Sequence, residues 1–226
     1  MEQNYGCKYC GAKFHREKTL LTHVCVKKRR YMEIDTPASR FGFRAFQRFY
    51  ELTSNQKKLK TQQEFIDSPY YIDFAKFGNH IANLKPIFPE QFIEFVISNG
   101  VKLKDWTNDQ VYYLFIEDLI KREPANSAAE RTITNILEWC ENNKVLFNEF
   151  FRNVGPNEGS YLIRTGKISP WVLYLCESAE VLMNSFNEDH SKIIADIIDP
   201  GYWMRKFKKQ NEDVIYIKEV LHQAGL

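Results

Sequence analysis

Two cysteines two residues apart, Cys7 and Cys10, are followed by Phe14, Leu20, His23 and Cys25, all within the first 26 positions of a 226-residue chain. No other stretch so narrows what the chain can fold into. A segment this short cannot bury enough apolar surface to fold alone; below about 40 residues a disulfide, a metal or a partner must supply the missing stability. Three of the five cysteines crowd between positions 7 and 25, whereas Cys140 and Cys176 stand alone. The N-terminus is polar where a secretory leader carries an apolar stretch, so a reducing, cytoplasmic setting is expected. There a clustered set reads as metal ligands rather than disulfides. Cys140 and Cys176 lie in apolar helical stretches and are expected in the core.

The spacing resembles the C2H2 zinc-finger family. Cys7-x2-Cys10 matches its knuckle; Phe14 lies four residues after the second cysteine, Leu20 six after Phe14, and His23 three after Leu20. The resemblance implies a bound Zn2+, with Phe14 and Leu20 as the minimal core behind it. Metal binding would then supply the folding free energy. The fourth ligand departs from the family, in which a second ligand follows the histidine by three to five residues on the same helical face. Here Cys25 follows after two. On a continuous helix of about 3.6 residues per turn it would point about 200° away. The helix is therefore expected to end near His23, so that the chain curls and returns Cys25 to the metal. His15, beside Phe14, is the competing ligand. A catalytic zinc with an open position is disfavoured, because no Glu is placed as a general base.

Charge is distributed unevenly. Residues 1–60 hold 14 Lys and Arg against 5 Asp and Glu, a net of +9, and the other 166 residues sum to −7. Such asymmetry suggests that one end meets a polyanion, the plain alternative being a solvated basic arm. If the finger helix sits as in DNA-reading fingers, Arg16, Thr19 and Thr22 face the bases, with Arg16 suited to guanine. Lys27, Lys28, Arg29 and Arg30 follow at once and would neutralise phosphates. Lys8, Lys13 and Lys18 add to them. A finger that binds protein is the competing reading. Further on, Arg40, Arg44 and Arg48 recur every four residues as a stripe, while Phe43, Phe46 and Tyr50 mark another face. The stripe is either the solvated side of a core helix or an extension of the DNA surface. Lys57, Lys58 and Lys60 are expected in a loop. Arg205, Lys206, Lys208 and Lys209 read as a solvated face.

Apolar residues make up 44% and aromatics 15% of the chain, which excludes global disorder. The expected class is all-α: a finger (1–26), a basic linker (27–39) broken by Pro37, and a two-lobed helical body divided into 40–123 and 124–226. Helices are predicted at 40–53, 61–67, 69–84, 88–98, 107–122, 128–142, 144–152, 170–177, 179–186, 188–197 and 201–225, the last broken near Asn211. Residues 159–168 are expected to be extended or a turn. Thr61 with Glu64 and Ser127 with Glu130 have capping-box spacing. Ser68-Pro69 and Ser169-Pro170 look like helix starts, and Gly100 like a helix stop. Most aromatics fall at helical spacing and are expected in the core, with one or two available to stack on unpaired bases. No stretch reaches the roughly 18 apolar residues of a membrane span.

The order FRAFQRFYEL, YYIDFAKFGNHIANLK, FIEFVISN, Trp106, VYYLFIEDLIKR, SYLIRTGKISPWVLYLCESAEVLMNSF and WMRKFKK resembles the helicase-loading (helicase assembly) proteins of T-even-type phages. These are all-α, two-lobed and of similar length. The resemblance implies binding to forked or single-stranded DNA, contacts to a replicative helicase and a single-strand-binding protein, and residence in the host-cell cytoplasm. The finger would be an added DNA-binding module. No catalytic constellation emerges: His80, His190 and His222 are isolated, and Gly166-Lys167 lacks the preceding glycines of a phosphate loop. A DNA-binding accessory protein rather than an enzyme is expected. The alternative is a zinc-finger transcription regulator or RNA polymerase adaptor.

Overall fold

The computed structural model describes residues 5–54 and 58–226; Lys57 lies outside them. The chain divides into two compact units, Met1–Val111 and Tyr112–Leu226. Among the described residues helices dominate, and the one sheet is a pair of short strands, so the class is all-α with a small N-terminal Cys/His cluster. No described helix is long and apolar enough to cross a membrane.

The first unit opens with β1 (Tyr5–Gly6) paired antiparallel to β2 (Lys13–Phe14), then α1 (Glu17–Thr22) and α2 (Val26–Met32). Next come α3 (Pro37–Thr53), α4 (Gln62–Asp67), α5 (Tyr71–Leu84) and α6 (Pro89–Ser98). The stretch 27–39 expected as linker is thus largely helical. Two local causes account for it. The Cys25 side chain accepts the Lys28 backbone N–H and so caps α2. Thr36 caps α3 at Ser39, and Pro37 sits in the first turn, where its missing N–H costs nothing. The Thr61–Glu64 capping box forms as expected. α5, however, starts two residues later than Ser68-Pro69 suggests, because Ser68 Oγ instead closes a turn onto the Tyr70 N–H at 3.1 Å.

The core of this unit is an aromatic cluster of Phe46, Phe65, Phe74, Phe77, Phe92 and Trp106, each at most 2% exposed. The Trp106 indole donates to the Val101 carbonyl at 2.9 Å. Helices α3 and α5 meet backbone to backbone through two glycines. A Cβ on Gly78 would lie 2.0 Å from the Ala38 carbonyl oxygen, and one on Gly42 would lie 2.7 Å from the Phe74 carbonyl oxygen. Only glycine admits that approach.

α7 (Asp109–Arg122) crosses the boundary in sequence. The second unit continues with α8 (Ala125–Asn143), α9 (Phe150–Asn153), α10 (Pro156–Arg164), α11 (Pro170–Leu175) and α12 (Ala179–Asn184). It closes with α13 (Glu188–Ile194), α14 (Pro200–Lys209) and α15 (Asn211–Ala224). The expected extended segment at 159–168 is mostly α10. Gly159 lies inside this helix, with the Leu182 side chain in the space a Cβ would occupy. Ser127 caps nothing: α8 begins earlier, after Pro124, with Ala125, Ala128 and Ala129 buried. The predicted helix at 144–152 is cut short, because Lys144 takes the left-handed conformation that ends α8. Ser169 caps α11 as expected. Trp171 and Trp203 anchor the core, and Cys140 and Cys176 are buried. A nearly buried ion pair, Arg131 with Glu123, also holds the Gly166 carbonyl.

Candidate metal centre

Four side chains converge at the N-terminal end: Cys7, Cys10, His23 and Cys25, whose ligand atoms all lie within 4.8 Å of one another. Tetrahedral zinc with Zn–S near 2.3 Å and Zn–N near 2.0 Å needs ligand–ligand edges of about 3.5–3.8 Å. The Cys10 Sγ to His23 Nε2 distance is 3.3 Å. The donor set, three thiols and an imidazole, is that of a closed structural site.

The local sequence builds this geometry. Cys7 N–H donates to the Ala12 carbonyl and Gly11 N–H to the Cys7 carbonyl, both at 2.8 Å. Gly11 adopts φ +75°, the left-handed turn the knuckle requires. The Cys10 backbone N–H pulls the Cys7 thiol below its ordinary value; burial opposes this, and the Tyr9 N–H adds to it. Stabilising the thiolate readies it for a cation. Phe14 packs on the His23 ring at 4.8 Å, so the small apolar core steadies one member of the cluster. α1 stops at Thr22, and His23 and Cys25 both have extended backbone. The chain therefore turns as the two-residue spacing demands, and Cys25 joins the cluster. His15 is exposed on the bend after β2 and outside the group. Lys28 Nζ donates to the His23 carbonyl at 3.1 Å, placing a cation beside the cysteine cluster. A filled site would tie β1, β2, α1 and the start of α2 together, with no ligand position left open.

The residues expected to contact DNA divide into two groups. Arg16, Thr19, Thr22, Arg29 and Arg40 are exposed, although Thr22 Oγ1 bonds back to the Lys18 carbonyl. The others have protein partners. Lys27 pairs with Asp67, Arg44 with Glu90, and Arg48 with Glu51 and Glu94. Arg30 donates to the Ile66 carbonyl at 2.7 Å and lies 4.1 Å over the Tyr71 ring. So Arg44 and Arg48 face α6, and Arg30 fastens α2 to α4 and α5. In the second unit Lys206 leaves the solvated face expected for it. It is intermediate in exposure, donates to the Lys121 carbonyl and lies over the Trp171 and Trp203 rings. Burial lowers its amine below the ordinary value.

Sequence reasoning passed over Tyr9 and Tyr31, whose rings meet at 5.2 Å beside Lys8 and Lys27. The signal was present: one aromatic lies inside the Cys7–Cys10 knuckle, and the other closes the KKRRY run. Comparison with protein families, curated proteins and solved structures finds no match in any of the three.

Proposed function

We propose that this chain is a non-enzymatic DNA-binding accessory protein of replication, helicase loader-like. In this reading it engages forked or single-stranded DNA and recruits the replicative helicase, with Zn2+ as a structural ion. The observation that carries the reading is the placement of a four-ligand Cys/His cluster at the end where the charge concentrates. Lys27 to Arg30 begin two residues after the last ligand. Four protein donors fill a tetrahedral shell, which favours a structural over a catalytic metal. The resemblance of the body to phage helicase loaders supplies the replication context and the single-strand-binding protein as a second partner.

α1 has only six residues, fewer than two turns, so base reading in a duplex would rest on Arg16, Thr19 and Thr22. That is little sequence information for one module. Their exposure is nonetheless what would favour the alternative, a transcription regulator or RNA polymerase adaptor. Binding of the zinc-loaded chain to a fork, a single strand and a blunt duplex of equal length decides between them. The loader reading expects tighter binding to the fork and single strand, and faster loading of the helicase onto a fork coated with single-strand-binding protein. Preference for one duplex sequence would overturn it in favour of the regulator. No binding to any of the three would remove DNA from the account.

A further inference from the structure

We infer that Tyr9 and Tyr31, flanked by Lys8 and Lys27, form a stacking subsite for one unpaired nucleobase. This rests on the single-strand reading above and gives it an address. The two rings line a recess of about 220 Å³ with Lys8, Lys27, Gln63 and Ile66. The ring planes are tilted by 50° at a centroid separation of 5.2 Å. They touch each other, so a base stacks against them rather than slipping between them. Tyr31 is 48% exposed and offers its ring to solvent. The buried Ile66 gives the recess an apolar floor.

The charge around the rings suits a nucleotide. Lys8 Nζ lies 5.0 Å from the Tyr9 centroid, and Lys27 also lines the recess. Asp67 is the nearby anion; it is held by Lys27 and by Gln63 Nε2. Lys8 and Lys27, both lining the recess, outnumber it. Gln63 spends its amide nitrogen on Asp67, and its amide oxygen is not used in that bond, which leaves an acceptor for a base N–H. Both tyrosines are set by the ligand-bearing backbone: Tyr9 lies inside the knuckle, and Tyr31 lies in α2, whose N-terminus Cys25 caps. Aromatic faces next to lysines are how sequence-tolerant single-strand binders hold bases and backbone together.

The test is fluorescence anisotropy of the full zinc-loaded chain with three labelled 20-mers: oligo-dT, oligo-rU and an abasic strand of the same backbone charge. Tyr31→Ala should weaken oligo-dT binding roughly tenfold or more while leaving the abasic strand unchanged. Tyr31→Phe should retain wild-type binding, and unchanged circular dichroism of both variants shows that they are folded. Equal binding of dT and the abasic strand by the wild type, or an unchanged dT affinity in Tyr31→Ala, would overturn the subsite and leave DNA binding standing. Loss of binding in Tyr31→Phe matching that in Tyr31→Ala would also overturn stacking. If the wild type prefers rU to dT and Tyr31→Ala abolishes that preference, the stacking site stands and its strand is RNA. If the wild type binds none of the three strands, both the subsite and the DNA reading fail, and the tyrosine recess belongs to a protein partner.

Discussion

Gly78→Ala should open the first unit and leave the second alone. The added Cβ would lie 2.0 Å from the Ala38 carbonyl oxygen, 2.6 Å from the Gly42 nitrogen and 3.0 Å from the Gly42 Cα. All three are backbone atoms, so no side chain can swing aside. Restoring ordinary contact means moving α3 and α5 apart by more than 1 Å, judged against the 3.0–3.4 Å at which Cβ contacts become tolerable. Overpacking of this kind costs about 1–3 kcal/mol or more. Phe46, Phe74 and Phe77 sit fully packed beside the crossing, which argues for the upper end. Alanine is a better helix former than glycine by about 1 kcal/mol. The net loss is therefore about 2 kcal/mol. Native-state hydrogen exchange resolves it by location: amides of α3 and α5 should exchange about 30-fold faster, with the second unit unchanged. Gly159→Ala is the control, because the three atoms nearest its Cβ are all of the Leu182 side chain, from Cδ1 at 2.6 Å to Cγ at 3.3 Å, and none is backbone. That flexible side chain can change its χ angles, so the net change should stay within about 1 kcal/mol. Wild-type exchange across α3 and α5 in Gly78→Ala would show that the glycine crossing is not what holds these helices.

Arg131→Ala strands the Glu123 carboxylate, since the pair is 8% and 4% exposed by side chain. Thermal denaturation should show a loss of about 3–5 kcal/mol, and much less in the Glu123→Gln/Arg131→Met double variant. The Thr61 backbone N–H holds Glu64 at a pKa of about 2, with Lys60 adding to it, against an ordinary 4.5. Its folded pKa is depressed, so its contribution is full above about 4.5 and is lost as pH falls towards 2. An NMR titration of the Glu64 carboxyl should find that low midpoint, and Thr61→Ala should raise it. Replacing Lys27, Lys28 and Arg29, while keeping the structural Arg30, should flatten the log–log salt dependence of DNA binding by about 2–3. An unchanged slope would make the run a bystander.

How much of this was legible in the sequence depends on how local the cause is. The Cys/His cluster was readable because Cys7, Cys10, Phe14, Leu20 and His23 keep a spacing that one small fold demands, and the short step to Cys25 requires the helix to end. The Thr61–Glu64 box and the Ser169 cap were readable for the same reason: each acts within one helical turn. α2 was hidden because its cap is a cysteine thiol, a residue type rarely assigned that task. α10 was not read as a helix; its Gly159 packs against Leu182, on another helix, a contact that no local pattern shows. The roles of Arg44 and Arg48 depend on Glu90 and Glu94, 46 residues further along in each case. A periodic basic stripe looks the same on paper whether it faces solvent or a row of carboxylates. The Tyr9–Tyr31 recess likewise needs two segments brought together by the cluster between them.

One zinc, held by Cys7, Cys10, His23 and Cys25, is the proposed organiser of the N-terminal module. X-ray absorption at the zinc edge on the purified chain, together with metal counting, reads its shell. The expected result is one zinc per chain with three sulfur neighbours at about 2.3 Å and one nitrogen at about 2.0 Å. Cys25→Ala should then lose one sulfur from the shell or lose the metal, while His15→Ala changes neither. A wild-type shell of two sulfurs and two nitrogens, or zinc retained with an unaltered shell in Cys25→Ala, would contradict the account.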